Sequence, residues 1–358
     1  LLSIIKKELI ELKDKFADER RTEISFVEGE IDSEALIPQD NMVVTMTHRG
    51  YVKRLSQNTY RTQNRGGRGV NAMSIRDGDY LEQMYIIHSH SRIFFFTDRG
   101  RAFCLKCYEI PEAARTSNGT SAVNLLQLQG EEKVTTMLPL PDLDENMYLL
   151  MATKNGMIKK TAMSEFTNIR KNGIRAITLV EDDTLIGVSL SDGTKDIMLV
   201  SKHGKAIRFS EERIRASGRS AQGVRSMKLS SEDSIVSMSC VEENKAVLTI
   251  SENGFGKRSA ENEYRTQGRA GLGLTVAKIN EKTGDLVAVR MVDDADELLI
   301  ITDDGTMIRT PVSSIRECAR VSQGVKLMKL ADGIKIVDVE IALPDEDDES
   351  DLLDGLEE

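Results

Sequence analysis

Short aliphatic runs, each followed by a polar turn that closes on glycine, recur along the chain from about residue 43 to residue 305. The six are Val43-Val44-Thr45-Met46-Thr47-His48-Arg49-Gly50, Phe94-Phe95-Phe96-Thr97-Asp98-Arg99-Gly100, Leu149-Leu150-Met151-Ala152-Thr153-Lys154-Asn155-Gly156, Met198-Leu199-Val200-Ser201-Lys202-His203-Gly204, Val247-Leu248-Thr249-Ile250-Ser251-Glu252-Asn253-Gly254 and Leu299-Ile300-Ile301-Thr302-Asp303-Asp304-Gly305. Runs this short, bounded by Gly, Asn and Asp, predict strands rather than helices. A Ser or Thr stands three places before each glycine, where its hydroxyl can bond the turn, and glycine supplies the positive φ that closes a hairpin. The exception to this rhythm is Ile4 to about Arg20, where Ile4, Ile5, Leu9, Leu12 and Phe16 fall at spacings of three and four and predict an amphipathic helix that docks on another domain.

The turn glycines are 50, 56, 48, 50 and 51 residues apart. A second glycine follows in every unit (Gly69, Gly119, Gly173, Gly223, Gly273 and Gly324), 19 residues after the first except in the third unit, where the interval is 17. Six β units of this length, with no helical pattern between them, predict an all-β, six-bladed propeller-like disc over residues 33–343, because radial repetition places each sheet edge beside its neighbour.

Composition adds that the core is aliphatic: 40% of residues are hydrophobic, 4% are aromatic and Trp is absent. No apolar run approaches the roughly 20 residues needed to cross a bilayer, so no membrane partner is expected, and the chain is expected to be a piece of a longer cytoplasmic protein. Cys104 and Cys107 are close, but no second pair stands at zinc-ligand spacing, and His48, His88, His90 and His203 form no cluster with Cys or Glu. Neither a metal nor a cofactor is expected.

The 358 residues carry a formal charge of -10, which argues against a nucleic-acid partner until the charge is located. Residues 1–40 hold 6 bases and 11 acids, and residues 344–358 hold 9 acids and no base; the remaining body is +4. Three regions follow: residues 1–32 as the end of a preceding helix with its linker, residues 33–343 as the bladed body, and residues 344–358 as a disordered, self-repelling acidic tail. Such a tail either keeps the chain soluble or competes with an anion for the basic body.

Bases recur in the body in two registers. Four residues after the turn glycine come Arg54, Lys160, Arg208, Arg258 and Arg309, with Cys104 as the exception. Four residues before the second glycine come Arg65, Arg115, Arg219, Arg269 and Arg320, with Arg170 one place later in its unit. Recurrence around a disc converts them into a basic rim, which suits a bent duplex, since phosphate contacts hold DNA without reading its sequence. Aromatics for stacking single-stranded bases are sparse. The first unit is richest, with Arg49, Lys53, Arg54, Arg61, Arg65, Arg68 and Arg76 and the loop Gln63-Asn64-Arg65-Gly66-Gly67-Arg68-Gly69, in which glycines let backbone N–H groups approach phosphate and arginines add forked donors. The fifth unit has an imperfect copy, Tyr264-Arg265-Thr266-Gln267-Gly268-Arg269-Ala270-Gly271-Leu272-Gly273.

The heptapeptide Gln63 to Gly69 resembles the box of the C-terminal domain of the bacterial DNA gyrase A protein, with Asn64 where Lys or Arg is commoner. Glu19-Arg20-Arg21-Thr22-Glu23-Ile24 resembles the junction at which the cleavage domain's last helix enters that domain. The resemblance implies a six-bladed β-pinwheel that wraps duplex DNA around its rim with positive handedness. It implies a non-catalytic part of an ATP-dependent, nucleoid-associated enzyme that supercoils DNA negatively, with the rest of the gyrase A protein and the gyrase B protein as partners. Cleavage tyrosine and ATPase are then elsewhere, in keeping with the lack of a Walker or nucleophile-elbow motif here, and Tyr60 and Tyr264 read as packing residues. Two alternatives stand beside it: the matching domain of topoisomerase IV, against which the intact box argues, and a protein-interaction propeller. A propeller hydrolase would need a recurring acidic register, and none is expected.

Overall fold

The computed structural model describes residues 2–18, 33–56, 79, 81–114, 117–140, 146–303, 307–331 and 333–342. The chain divides into two units, Leu1–Pro38 and Gln39–Glu358. In the first, the helix spans Leu2–Phe16 with no buried residue, stopping short of the predicted Arg20 after Ala17 N–H closes its last turn on the Lys13 carbonyl.

The second unit contains, among the described residues, five four-stranded sheets and one three-stranded sheet, all antiparallel and numbered here as blades one to six. In blade one, Asn41–Thr47 pairs with Tyr51–Ser56 across the glycine turn, bringing Val44 opposite Arg54. Leu81–His88 flanks the hairpin on its inner side. The outer edge is supplied by the next unit: Thr120–Ser121, immediately after Gly119, pairs with Tyr51 and Val52. Blades two to five repeat this, their outer strands being Ile174–Arg175, Val224–Arg225, Leu274–Thr275 and Val325–Lys326. The inner strands, from Leu81–His88 round to Ile336–Ala342, each contact the next, and the last returns against the first.

The aliphatic runs are continuous because both faces of each sheet are covered. Successive residues enter different cores: Phe95 packs with Met42, Val44 and Met46 of blade one, while Phe94 and Phe96 pack with Leu149 and Met151 of blade three. Each such buried side chain contributes roughly 1.5–3 kcal/mol, so adjacent blades hold one another through shared layers.

The turns carry a device that the sequence reading missed. Thr153 Oγ1 accepts the Met157 N–H at 3.1 Å and donates to Asp183 Oδ2 at 2.6 Å, and Asp183 Oδ1 accepts the Asn155 N–H at 2.9 Å. Ser201 and Asp233 repeat the hydroxyl–carboxylate pair at 2.8 Å, Thr97 meets Glu132 at 2.6 Å, and Asp79 accepts the Arg49 N–H at 3.0 Å. An acidic residue therefore does recur, contrary to expectation, in blades one to four, but it is dispersed one per blade and spent on the turn's backbone and hydroxyl donors.

The second glycines are dictated by space as well as by φ. At Gly223 (φ +86°) a Cβ would lie 2.5 Å from the Ile158 carbonyl oxygen, and at Gly173 (φ +71°) 2.7 Å from the Phe103 ring. Any side chain would push the outer strand off the blade.

Candidate nucleic-acid interface

The first basic register lies in the seams between units. Arg54 Nε donates to the Ile110 carbonyl at 2.6 Å and its guanidinium meets Glu112 at 3.3 Å. Arg208 is held by Asp196 at 2.8 Å and by Glu261. Burial opposes its charge, but the two carboxylates outweigh that and raise its pKa. Arg258 donates to the Ile315 carbonyl at 2.7 Å and pairs with Asp294. Lys160 meets buried Glu211 at 3.0 Å and lies 4.3 Å from the Tyr148 ring centroid.

Backbone contacts follow the same seam: Ala113, Ser217, Gln267 and Cys318, all from the following unit, donate N–H to the carbonyls of Arg54, Lys160, Arg208 and Arg258. Lys160 and Arg258, expected on a solvated rim, are buried, and Lys53 is buried as well. The reason is geometric: the fourth residue after the turn lies on the strand that follows the turn, against the segment that the next unit sends to the outer edge. Arg309 differs, being exposed and paired with Glu297 of its own blade.

The second register is more open. Arg170 is exposed, and Arg219 is half-exposed with its Nε 3.8 Å from Glu165. Arg269 donates to the Arg225 carbonyl at 2.5 Å and Arg320 to the Thr275 carbonyl, reaching the outer strands of blades three and four respectively. Arg49 and Arg265 are exposed. Arg61, Arg115 and the box residues Gln63, Asn64, Arg65, Gly66, Gly67, Arg68 and Gly69 lie outside the described residues, as does the acidic tail.

Bases that the two registers omitted occupy the outer strands and their continuations. Arg175, Arg225 and Lys326 stand two places after the second glycine, and Lys228, Lys278 and Lys329 five places after it; all six are exposed. Counting forward as well as backward from the second glycine finds them. With Arg170 and Arg265 they form bands of cations at the blade edges, the arrangement that meets phosphates in sequence without reading bases.

Other candidates fall outside this surface. Cys107 is buried beneath blade one and Cys104 packs against the next core, and burial pushes both thiols up to about 11. Tyr264 is buried, a packing residue, and the same burial pushes its phenol up to about 12. No group of metal-ligating side chains occurs among the described residues, and no helix among them is long and apolar enough to cross a membrane.

Comparison with known proteins agrees with this architecture. A family model described as the DNA gyrase C-terminal domain, beta-propeller, matches residues 41–88, 91–141, 148–192, 195–242, 245–293 and 296–342, one segment per blade. The DNA gyrase A protein of Halalkalibacterium halodurans is 49% identical over 358 residues, covering 100% of this chain and 43% of that protein. Its counterpart from Clostridium acetobutylicum is 48% identical over 92% of this chain and 40% of its own length. This chain thus spans about two fifths of the curated relatives it matches. A solved DNA gyrase A C-terminal domain superposes with a TM-score of 0.70 at 29% identity, covering 85% of this chain and all of that one. A topoisomerase IV C-terminal domain reaches 0.74 at 24% identity over 90% of this chain and all of its own, a likeness of fold alone.

Proposed function

This chain belongs to the DNA gyrase C-terminal domain family, and from that premise we propose that it binds and bends duplex DNA along its blade edges. The observation that carries the reading is the recurrence of exposed bases on the outer strands and adjoining loops, at Arg170, Arg175, Arg225, Arg265 and Lys326. An acidic protein holds a polyanion in this way only where its cations are gathered and its acids sequestered. Here the turn carboxylates are consumed by backbone and hydroxyl donors, and many seam carboxylates by seam bases.

Within a complete gyrase, with the remainder of the gyrase A protein and the gyrase B protein, such wrapping supports ATP-dependent negative supercoiling of nucleoid DNA. The chain contributes geometry rather than chemistry and uses no cofactor of its own. The heptapeptide box in the sequence favours gyrase over topoisomerase IV.

The deciding experiment is topological. Nicked circular plasmid is ligated with the chain bound, and the linking-number change is read. A salt-sensitive change of consistent positive sign is expected, because a phosphate-led interface weakens steeply as salt rises. No change, or binding indifferent to ionic strength, would overturn the reading.

A further inference from the structure

Three residues after the turn glycine the units alternate: Lys53, Lys159 and Lys257 in the odd units, Phe103, Ile207 and Ile308 in the even ones. The three lysines are as buried as Phe103 and Ile207. Each ammonium turns beneath the loop that leads into its own blade's outer strand. Lys53 Nζ donates to the Ser117 carbonyl at 2.9 Å and the Ala114 carbonyl at 3.4 Å. Lys159 Nζ donates to the Arg219 carbonyl at 2.7 Å and to Ala176, which follows the neighbouring outer strand, at 2.6 Å. Lys257 Nζ donates to Ala319 at 3.0 Å and to Arg320.

We propose that Lys53, Lys159 and Lys257 are positioning residues that fix the basic loops of the second, fourth and sixth units from beneath, through a buried ammonium for which the third- and fifth-unit loops substitute other donors.

The even blades place no donor there. Over Ile207 the fifth-unit loop is held instead by its neighbour, through Ala270 N–H on the Ser226 carbonyl and Lys228 N–H on the Gly271 carbonyl. Over Phe103 the third-unit loop is met by Arg101, whose guanidinium donates to the Asn172 carbonyl at 2.5 Å. Burying an ammonium is costly unless its protons are accepted, which a leucine or isoleucine at the same place would not require; the two carbonyls per lysine supply the acceptors. Burial lowers the pKa of Lys53 and brings Lys159 and Lys257 to about 8. Glu165 and Arg219 face Lys159, and Cys318, Glu263 and Arg320 face Lys257, with opposing effects.

The test uses the whole chain with Lys159→Met and, separately, Lys257→Met. In the free protein, amide exchange at Ser217 and Ala221 should quicken at least tenfold in the first variant, and at Cys318 and Ser322 in the second, while Ala270 is unchanged in both. This arm involves no DNA. The second arm rests on the DNA-binding reading: affinity for a linear duplex should fall several-fold with the salt slope unchanged, because no phosphate ligand is removed. Unchanged exchange in the clamped loops would overturn the proposal, as would a reduced salt slope, which would make the lysines direct phosphate ligands. Failure of the unsubstituted chain to bind duplex would instead sink the functional reading and leave the exchange result standing. Should one variant fail to fold, the other blade carries the same test, and Lys53→Met a third.

Discussion

Two populations of arginine and lysine differ in what surrounds them rather than in how often they recur. In the seams, Arg54, Lys160, Arg208 and Arg258 each meet a carboxylate and accept a backbone N–H from the following unit. At the edges, Arg175, Arg225, Lys228, Lys278, Lys326 and Lys329 are exposed. Both sets repeat about every 50 residues, because in a bladed protein everything structural repeats too. Periodic charge is thus no guide by itself to a binding surface; the partner of each charge is.

The contrast breaks first on stability. Arg258→Met should destabilise the chain by about 2–3 kcal/mol, because charge-assisted bonds disappear and the Ile315 carbonyl is left without its donor. Arg225→Gln and Lys326→Gln should stay within about 0.5 kcal/mol of the parent. Urea denaturation ranks the three, and an inverted order would dissolve the distinction between seam and edge.

A smaller effect separates the two sets on DNA. The Arg225→Gln, Lys326→Gln double variant should lower the slope of log affinity against log salt by roughly 0.9 for each phosphate no longer neutralised. Arg208→Met, still folded at low temperature, should leave that slope alone. Equal slopes across the series would place the phosphates elsewhere.

The smallest effect concerns pH. Lys159 and Lys257 lose their protons near 8 in the folded chain, well below the ordinary lysine value of 10.5. At these two sites the unfolded chain binds more protons than the folded one, so each adds stability as pH rises from 8, whereas the buried thiols of Cys104 and Cys107, pushed up to about 11, subtract it once pH passes 9, and the rise is therefore read between pH 8 and 9. Lys159→Met and Lys257→Met should each flatten that rise in thermal midpoints measured across the window; variants whose midpoints track the parent's across it would contradict the burial of these ammonium groups.

Much of the scaffold was legible. Uninterrupted runs such as Phe94-Phe95-Phe96 announce strands covered on both faces, and the spacing of Gly50, Gly100 and their successors counts the blades. What was not legible is the lending of the outer strand. Val224–Arg225 is two residues long and has no alternation to read, and only the folded chain shows it crossing to pair with Ile158 and Met157. That crossing decides which bases are enclosed. Asp183 escaped notice for a related reason: it stands 27 residues after its glycine where Asp79 and Asp233 stand 29 after theirs, and an isolated acid in a polar loop carries no pattern. The lysine alternation was visible in the letters, but a lysine is read as solvated until its burial is known.

The borrowed strand also imposes a timetable on synthesis. Tyr51 cannot find Ser121 until about 70 further residues have been made, which at roughly 5–20 residues per second leaves blade one's edge open for several seconds. Open edges invite pairing with other chains unless charge discourages it. The waiting strands carry that charge: Lys53 and Arg54, Lys159 and Lys160, Arg208, and Lys257 and Arg258. Side chains that end enclosed between blades thus guard the nascent edge first, and are covered only when the strand that makes the guard unnecessary has arrived.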